Sequence, residues 1–151
     1  MIRRSGRDEA ETHFAVQRAA CVDAFPHIFP PELYPFPDDE IRERWRNATG
    51  TVLVAERESR VVGVALVDAG WLHGFYVVPE YWGTGVADEL HDEALAVSSD
   101  CPELRLWVLE GNRRARRFYE KHGWQENGAK RIVEYPPNPV DVGYSYVRPG
   151  A

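Results

Sequence analysis

Two segments about thirty residues apart limit most tightly what this chain can fold into. The first, FYVVPEYWGTGVADELHDEAL from Phe75 to Leu95, reads as a strand, a proline-led turn, a loop with two glycines and a helix start. A backbone built that way aims free amides at one point, which is how a chain makes a socket for an anionic phosphate. The second, LRLWVLEGNRRARRFYEKHGW from Leu104 to Trp124, reads as a strand and a short helix that presents Tyr119 after four arginines. Strand, helix, strand, helix in that order requires a sheet with helices laid on it. Together the segments predict a phosphate-bearing ligand held at one end and chemistry at the other.

The rest of the chain alternates without repeats. Phe14, Ala15, Arg18, Ala19 and Val22 at helical spacing predict a helix over 8–25. Residues 26–37 hold five prolines, which bars a regular helix or central strand and predicts a loop. An acidic start followed by Ile41 and Trp45 predicts a short helix over 38–47. β-Branched runs at 51–56 and 61–67 predict a hairpin, and 71–78 extends the same sheet. A helical face of Val86, Leu90, Ala94 and Val97, a strand at 104–109, a helix at 113–122 and strands at 126–134 and 140–147 complete the pattern. The expected fold is mixed α/β, of the α+β kind. It is one domain over 1–151, with a central, mostly antiparallel mixed sheet of six to seven strands and about four helices.

Composition removes several functions from consideration. The chain is 44% apolar and 28% charged, a globular balance, and no apolar run approaches a membrane span. A formal net charge of −6 gives nucleic-acid binding no electrostatic footing. Neither nucleic acid nor membrane is therefore an expected partner. The first residues, MIRRSGRDEAET, lack the apolar core of a secretion signal. Cys21 and Cys101 form no CxxC motif and read as free thiols, so a cytoplasmic location is expected.

In Trp82-Gly-Thr-Gly-Val-Ala87 the two glycines permit unusual backbone angles and close approach of a ligand. With a helix start near Thr84, the amides of Gly85, Val86 and Ala87 point at one spot, and the helix dipole adds to their field. The loop is not a dinucleotide fingerprint, because Gly83-x-Gly85-x-x-Asp88 lacks a third small residue, and no Gly-Lys-Ser/Thr marks it as a P-loop. Taken alone it fits a ligand-free tight turn equally well.

The loop gains meaning in combination. Pro79-Glu-Tyr-Trp-Gly-Thr-Gly-Val-Ala87, followed by Asn112-x-x-Ala115-x-x-Phe118-Tyr119-Glu-Lys121-x-Gly123-Trp124, resembles the two signatures of the GNAT superfamily of acyl-CoA-dependent N-acyltransferases. The likeness covers residues 51–124. It implies transfer of an acetyl group from acetyl-CoA, as co-substrate and without a metal, to a primary amine of a small molecule or peptide. In the family signature, Arg/Gln-x-x-Gly-x-Gly/Ala, the amides hold the cofactor pyrophosphate; Gly85 and Ala87 match, while Trp82 replaces the Arg or Gln. The likeness thus assigns cofactor binding to Gly83, Thr84, Gly85, Val86, Ala87 and Asp88. It further assigns the backbone of Phe75, Tyr76 and Val77 to the pantetheine arm, as an added strand. Asn112 is either a ligand to that arm or a helix N-cap. Tyr119 resembles the general acid that protonates the departing thiolate, and its alternative is a packing ring beside Phe118. Asp88 suits a helix N-terminus, yet would repel phosphate if it faced the socket.

The base that takes the amine's proton is less marked. The likeness puts a glutamate at either of two positions, and here these are Trp71 and Trp107. Strict alternation places His73 on the face of Trp71, and an imidazole can take that proton; Glu110 is the runner-up. Arg113, Arg117 and Lys121 form a basic stripe, with Arg114 and Arg116 beside it, that either faces solvent or offsets the missing cation at Trp82. For the acceptor, an amine pocket walled by the loop 26–37 is expected, with Glu32, Asp38 or Asp39 drawing a cation. A homodimer is expected by likeness, with 141–147 as its edge strand. The alternative function is a silent acyl-CoA-binding or sensing module that lacks a base.

Overall fold

The computed structural model describes residues 1–150 of the chain. In order the elements are β1 (Ile2–Ser5), α1 (Ala10–Ala24), α2 (Asp38–Arg46), β2 (Thr51–Arg57), β3 (Arg60–Asp68), β4 (Trp71–Val77), α3 (Val86–Val97), β5 (Glu103–Leu109), α4 (Arg113–Lys121), β6 (Gln125–Ile132) and β7 (Val140–Val147). The seven strands form one mixed sheet in the order β1-β2-β3-β4-β5-β7-β6, the α/β architecture that the pattern predicts. Among the described residues no helix is long and apolar enough to cross a membrane.

Helices cover both faces. Trp45 of α2 lies 3.6 Å from where a Cβ on Gly74 would stand, and Leu90 of α3 lies 3.2 Å from the same point on Gly63. Phe14, Ile41 and Trp45 bury one side of the sheet, and Val86, Leu90 and Ala94 the other. Truncating Leu90 or Trp45, both buried, to alanine costs about 2–5 kcal/mol through lost burial and the void left behind.

β1 is the element that the sequence conceals. It pairs with β2 alone, and its Arg3 turns out to Glu9 at 2.8 Å and to Glu56. An edge strand held by long-range ion pairs carries no alternating apolar signal. The strand expected as an edge for a second copy is, by contrast, interior: β7 lies between β5 and β6. Leu104, Leu106 and Val108 bury one face of β5, and β7 brings Val142 and Tyr144 to the same core. The outer edge is β6, exposed along its length.

The feature that positions the site is a split. β4 and β5 run parallel and share one registered pair, Trp71 with Arg105. Phe75, Tyr76 and Val77 therefore pair with Ala65, Val64 and Gly63 of β3 on one side and with no strand on the other. The β3–β4 ladder also slips: Leu66 pairs with Gly74 and Val67 with Leu72, which makes His73 the extra residue of a bulge. The bulge breaks strict alternation after His73, while His73 itself lies beside Trp71 as expected. Trp71 falls on the face of Gly74 and Tyr76, and Phe75 on the opposite one.

Candidate active site

The loop between β4 and α3 ends in Gly85 at φ 94°, a left-handed residue that caps the helix without a side chain. Gly83, at φ 74°, shares that region, and nothing lies within 4 Å of where either Cβ would stand. The first bond of α3 runs from the Glu89 amide to the Gly85 carbonyl at 3.1 Å. The amides of Val86, Ala87 and Asp88 precede it and have no intrahelical acceptor. Thr84 turns its hydroxyl to the Tyr81 carbonyl at 2.6 Å, and the Val86 side chain is buried in the core, so both present only backbone.

Two side chains explain the departures in this loop. Trp82 donates its indole N–H to the Val77 carbonyl at 2.7 Å, bracing the turn on the end of β4. Arg114 lies over its ring, 3.4 Å from the centroid, and burial lowers that guanidinium's pKa. A cation thus stands beside the glycine loop although position 82 carries none. Asp88 turns to His122, 2.8 Å from its ring nitrogen, which occupies the carboxylate away from the amides.

His91, Asp92 and His122 bring donor atoms within 4.8 Å of one another, a metal-like set. Trp124, whose indole only donates, gives its N–H to His91 Nε2 at 3.0 Å. Nδ1 of His91 then carries the proton shared with Asp92 at 3.2 Å, and His91 itself has no lone pair left for an ion. The set is a hydrogen-bonded buttress between α3 and α4.

A cavity of about 970 Å³ opens at the split and is lined by Gly83, Gly85, Ala87, Asn112, Tyr119 and His73, among others. Phe75, Tyr76, Val77 and Asp88 also reach it. Asn112 caps α4, its side-chain oxygen accepting from the Ala115 amide at 3.3 Å, while its amide nitrogen remains free to donate toward the cavity. Tyr119 is buried against Phe75, Trp124 and Tyr144. Its hydroxyl has no hydrogen-bond partner among the described residues, and burial raises the phenol well above its ordinary pKa. A neutral, unpaired O–H beside a cavity is ready to donate. Of the basic stripe, Arg114, Arg117 and Lys121 line the cavity, whereas Arg116 is committed to Tyr144 and Glu126.

On the opposite wall Trp71 stacks on Trp107 (6.2 Å, 21°) and His73 stacks on Trp71 (6.2 Å, 23°). Sheet register brings the two tryptophans together, and this contact has no signal in either local sequence. Glu110 pairs with Lys130 at 3.4 Å, outside the cavity lining. The loop 26–37 is ordered by two single turns, Phe29 to Phe25 and Tyr34 to Pro30, both 2.8 Å. His27 ties it to the Gly111 carbonyl at 3.0 Å, so it straps the mouth from α1 to α4. Cys21 also lines the wall, and burial pushes its thiol up to about 12, which keeps it protonated.

The sequence matches the Acetyltransferase (GNAT) family over residues 18–124, more than half of the chain. The chain belongs to the GNAT acetyltransferase family. Relatives include an uncharacterized N-acetyltransferase of Mycobacterium tuberculosis, 38% identical over 86 residues, 52% of this chain and 55% of that protein. A thialysine N-epsilon-acetyltransferase of Bos taurus is 38% identical over 58 residues, 37% of this chain and 34% of that protein. The chain thus spans about half the length of the curated relatives it matches. Among solved structures, apo YjaB of Escherichia coli superposes with TM-score 0.79 at 25% identity, over 99% of this chain and 98% of the other. The PaiA N-acetyltransferase of Thermoplasma acidophilum, solved with coenzyme A, gives 0.78 at 21% identity over 98% of each chain. The latter likeness concerns the fold alone.

Proposed function

We propose that this GNAT chain, a single domain over 1–151, is a cytoplasmic N-acetyltransferase that moves an acetyl group from acetyl-CoA to a primary amine. The amine attacks directly, with both substrates bound. One observation carries the reading: unpaired amides at the start of α3 and an unpaired phenol on α4 face one cavity across the open edge of β4. The relative that is solved with coenzyme A supports the choice of cofactor.

The amides of Gly83 to Asp88 hold the pyrophosphate, with Arg114 adding charge where Trp82 replaces the signature residue. The backbone of Phe75 to Val77 pairs with the pantetheine arm along the edge that β5 leaves free, and the Asn112 amide nitrogen donates to it. Backbone N–H near Val77 polarises the thioester carbonyl. A bond forms from the amine nitrogen to the carbonyl carbon as the carbon–sulfur bond breaks. His73, on its bulge, accepts the amine proton, and Tyr119 gives its proton to the leaving sulfur. Holding both substrates in line supplies most of the gain, up to roughly 7–11 kcal/mol.

A second reading, an acyl-CoA sensor, draws on the Trp71–Trp107 stack, which fills both positions where the resemblance puts a glutamate. The test is turnover of acetyl-CoA against amines of several classes, with free thiol as the readout, beside a thermal-shift titration. Amine-dependent thiol release supports the enzyme. A rise in melting temperature with no release across the panel supports the sensor, and neither response overturns both.

A further inference from the structure

The acceptor end of the cavity has the opposite charge from the one that the sequence predicts. Glu32, Asp38 and Asp39 do not line it. Asp38 is held by Arg18 at 3.0 Å, and Asp39, with a fully exposed side chain, faces Arg42 at 3.4 Å. Asp88 and Asp141 are the carboxylates that do line the cavity. Asp88 is bound to His122 at the cofactor end, and Asp141, 7% exposed, is bound to Arg131 at 2.9 Å.

Cations are placed differently. Arg44 of α2 reaches the acceptor wall and lies over the Tyr135 ring, 5.3 Å from its centroid. It forms no ion pair among the described residues, not even with Glu40 one turn earlier. Arg131 covers Trp107 at 4.6 Å and spends its charge on Asp141. One unpaired guanidinium, on an exposed residue, therefore shares the cavity lining with Trp71, Trp107, Phe29 and Tyr34. A polyamine or other polycation entering here would meet Arg44 and Arg131 with no free carboxylate to receive its second ammonium, and like charges at such contacts cost several kcal/mol.

We infer that the acceptor is an amphipathic acid. It has one primary amine, an apolar or aromatic body that packs on the Trp71–Trp107 stack, and a carboxylate-like anion met by Arg44. This rests on the acetyltransferase reading and names its substrate class. A planar guanidinium suits a carboxylate because two parallel N–H groups meet its two oxygens, and the indole pair, covered by His73 on one side and Arg131 on the other, adds apolar ring surface to the cavity lining.

The test compares acids with their own carboxamides: phenylalanine with phenylalaninamide, and para-(aminomethyl)benzoate with its amide, alongside spermidine. We expect at least a tenfold higher kcat/KM for one acid over its amide, with spermidine weakest, and we expect R44Q to collapse that ratio towards one. A wild-type ratio of one or below, preference for spermidine, or a ratio that survives R44Q overturns the inference. A binding arm keeps it separate from turnover. The acetylated acids and amides are titrated into the CoA-loaded protein, with indole fluorescence as the readout. If acetyl-CoA neither binds nor reacts, the acetyltransferase reading falls. The same titration of the CoA-free protein still reports acid-over-amide preference at Arg44, and its absence there sinks the substrate class alone.

Discussion

The cofactor half and the acceptor half of the cavity are built by different means. Between β4 and α4 the functional groups are mainly backbone: amides at the start of α3, the open edge of β4 and a carbonyl braced by Trp82. The wall opposite is made of side chains from α1, α2, the loop 26–37, β4, β5 and the β6–β7 connection, brought together across the sheet. Backbone groups tolerate change in the side chains that carry them, which suits a constant ligand. A side-chain wall changes its chemistry with each substitution, which suits a variable one.

Breaking the cofactor half at its chemical end gives the largest effect. Tyr119→Phe removes only an oxygen without a protein partner, so kcat should fall about 10²–10⁴-fold, with the KM for acetyl-CoA and the melting temperature nearly unchanged. An unaltered kcat in steady-state assays would reduce Tyr119 to a packing ring. Next comes the socket. Gly85→Val forces a β-branched residue to φ 94°, costing about 1–2 kcal/mol, and it should raise the KM for acetyl-CoA roughly tenfold, equivalent to about 1.4 kcal/mol.

Arg114→Gln should weaken acetyl-CoA by about tenfold, in line with a charge-assisted hydrogen bond, and the loss should shrink as salt rises. Trp82→Leu frees the same guanidinium from its ring and should show a smaller loss of the same kind, since such contacts contribute about 0.5–2 kcal/mol. Equal binding by wild type and Arg114→Gln would return the socket to backbone alone. Asn112 separates its two duties. Asn112→Asp keeps the cap on Ala115 but not the side-chain donor, so a loss of acetyl-CoA affinity at constant stability assigns that donor to the ligand. Asn112→Ala should also cost about 1 kcal/mol of stability.

The smallest effect is shared by both halves. His13, beneath α2, and His91, beneath α4, are buried, and burial lowers both pKa values from 6.5. The unfolded chain binds protons there first, so stability is full above about 6.5 and declines as pH falls below it. Glu9, held at about 2 by Arg3 and Ser5 against an ordinary 4.5, adds a second loss in the acid range between those values. Melting curves of His13→Gln and His91→Gln from pH 7.5 to 5 should be flatter than the wild type's, and an unchanged slope in both would remove the histidines as its cause.

Legibility followed the same division. The glycine pair, the helix after it and the Asn112 cap act over a few residues, so their spacing is visible in the chain. The bulge at His73 is not, because it arises from a ladder slip against β3. β1 escaped notice because its partner strand lies about fifty residues away and its outward side chains are charged. Glu32, Asp38 and Asp39 seemed to suit a cation, but helix direction and partners such as Arg18 and Arg42 turned α2's acids away from the wall.

What the chain determined by itself is the order of its elements from α1 onward and the family to which they belong, because hydrophobic period, proline and glycine act locally. Tertiary structure decided that Arg114 would rest on Trp82, that Trp71 would stack on Trp107 and that Arg44 would face the cavity unpaired. Each of these joins residues far apart in sequence, and only sheet register and helix packing set their distance.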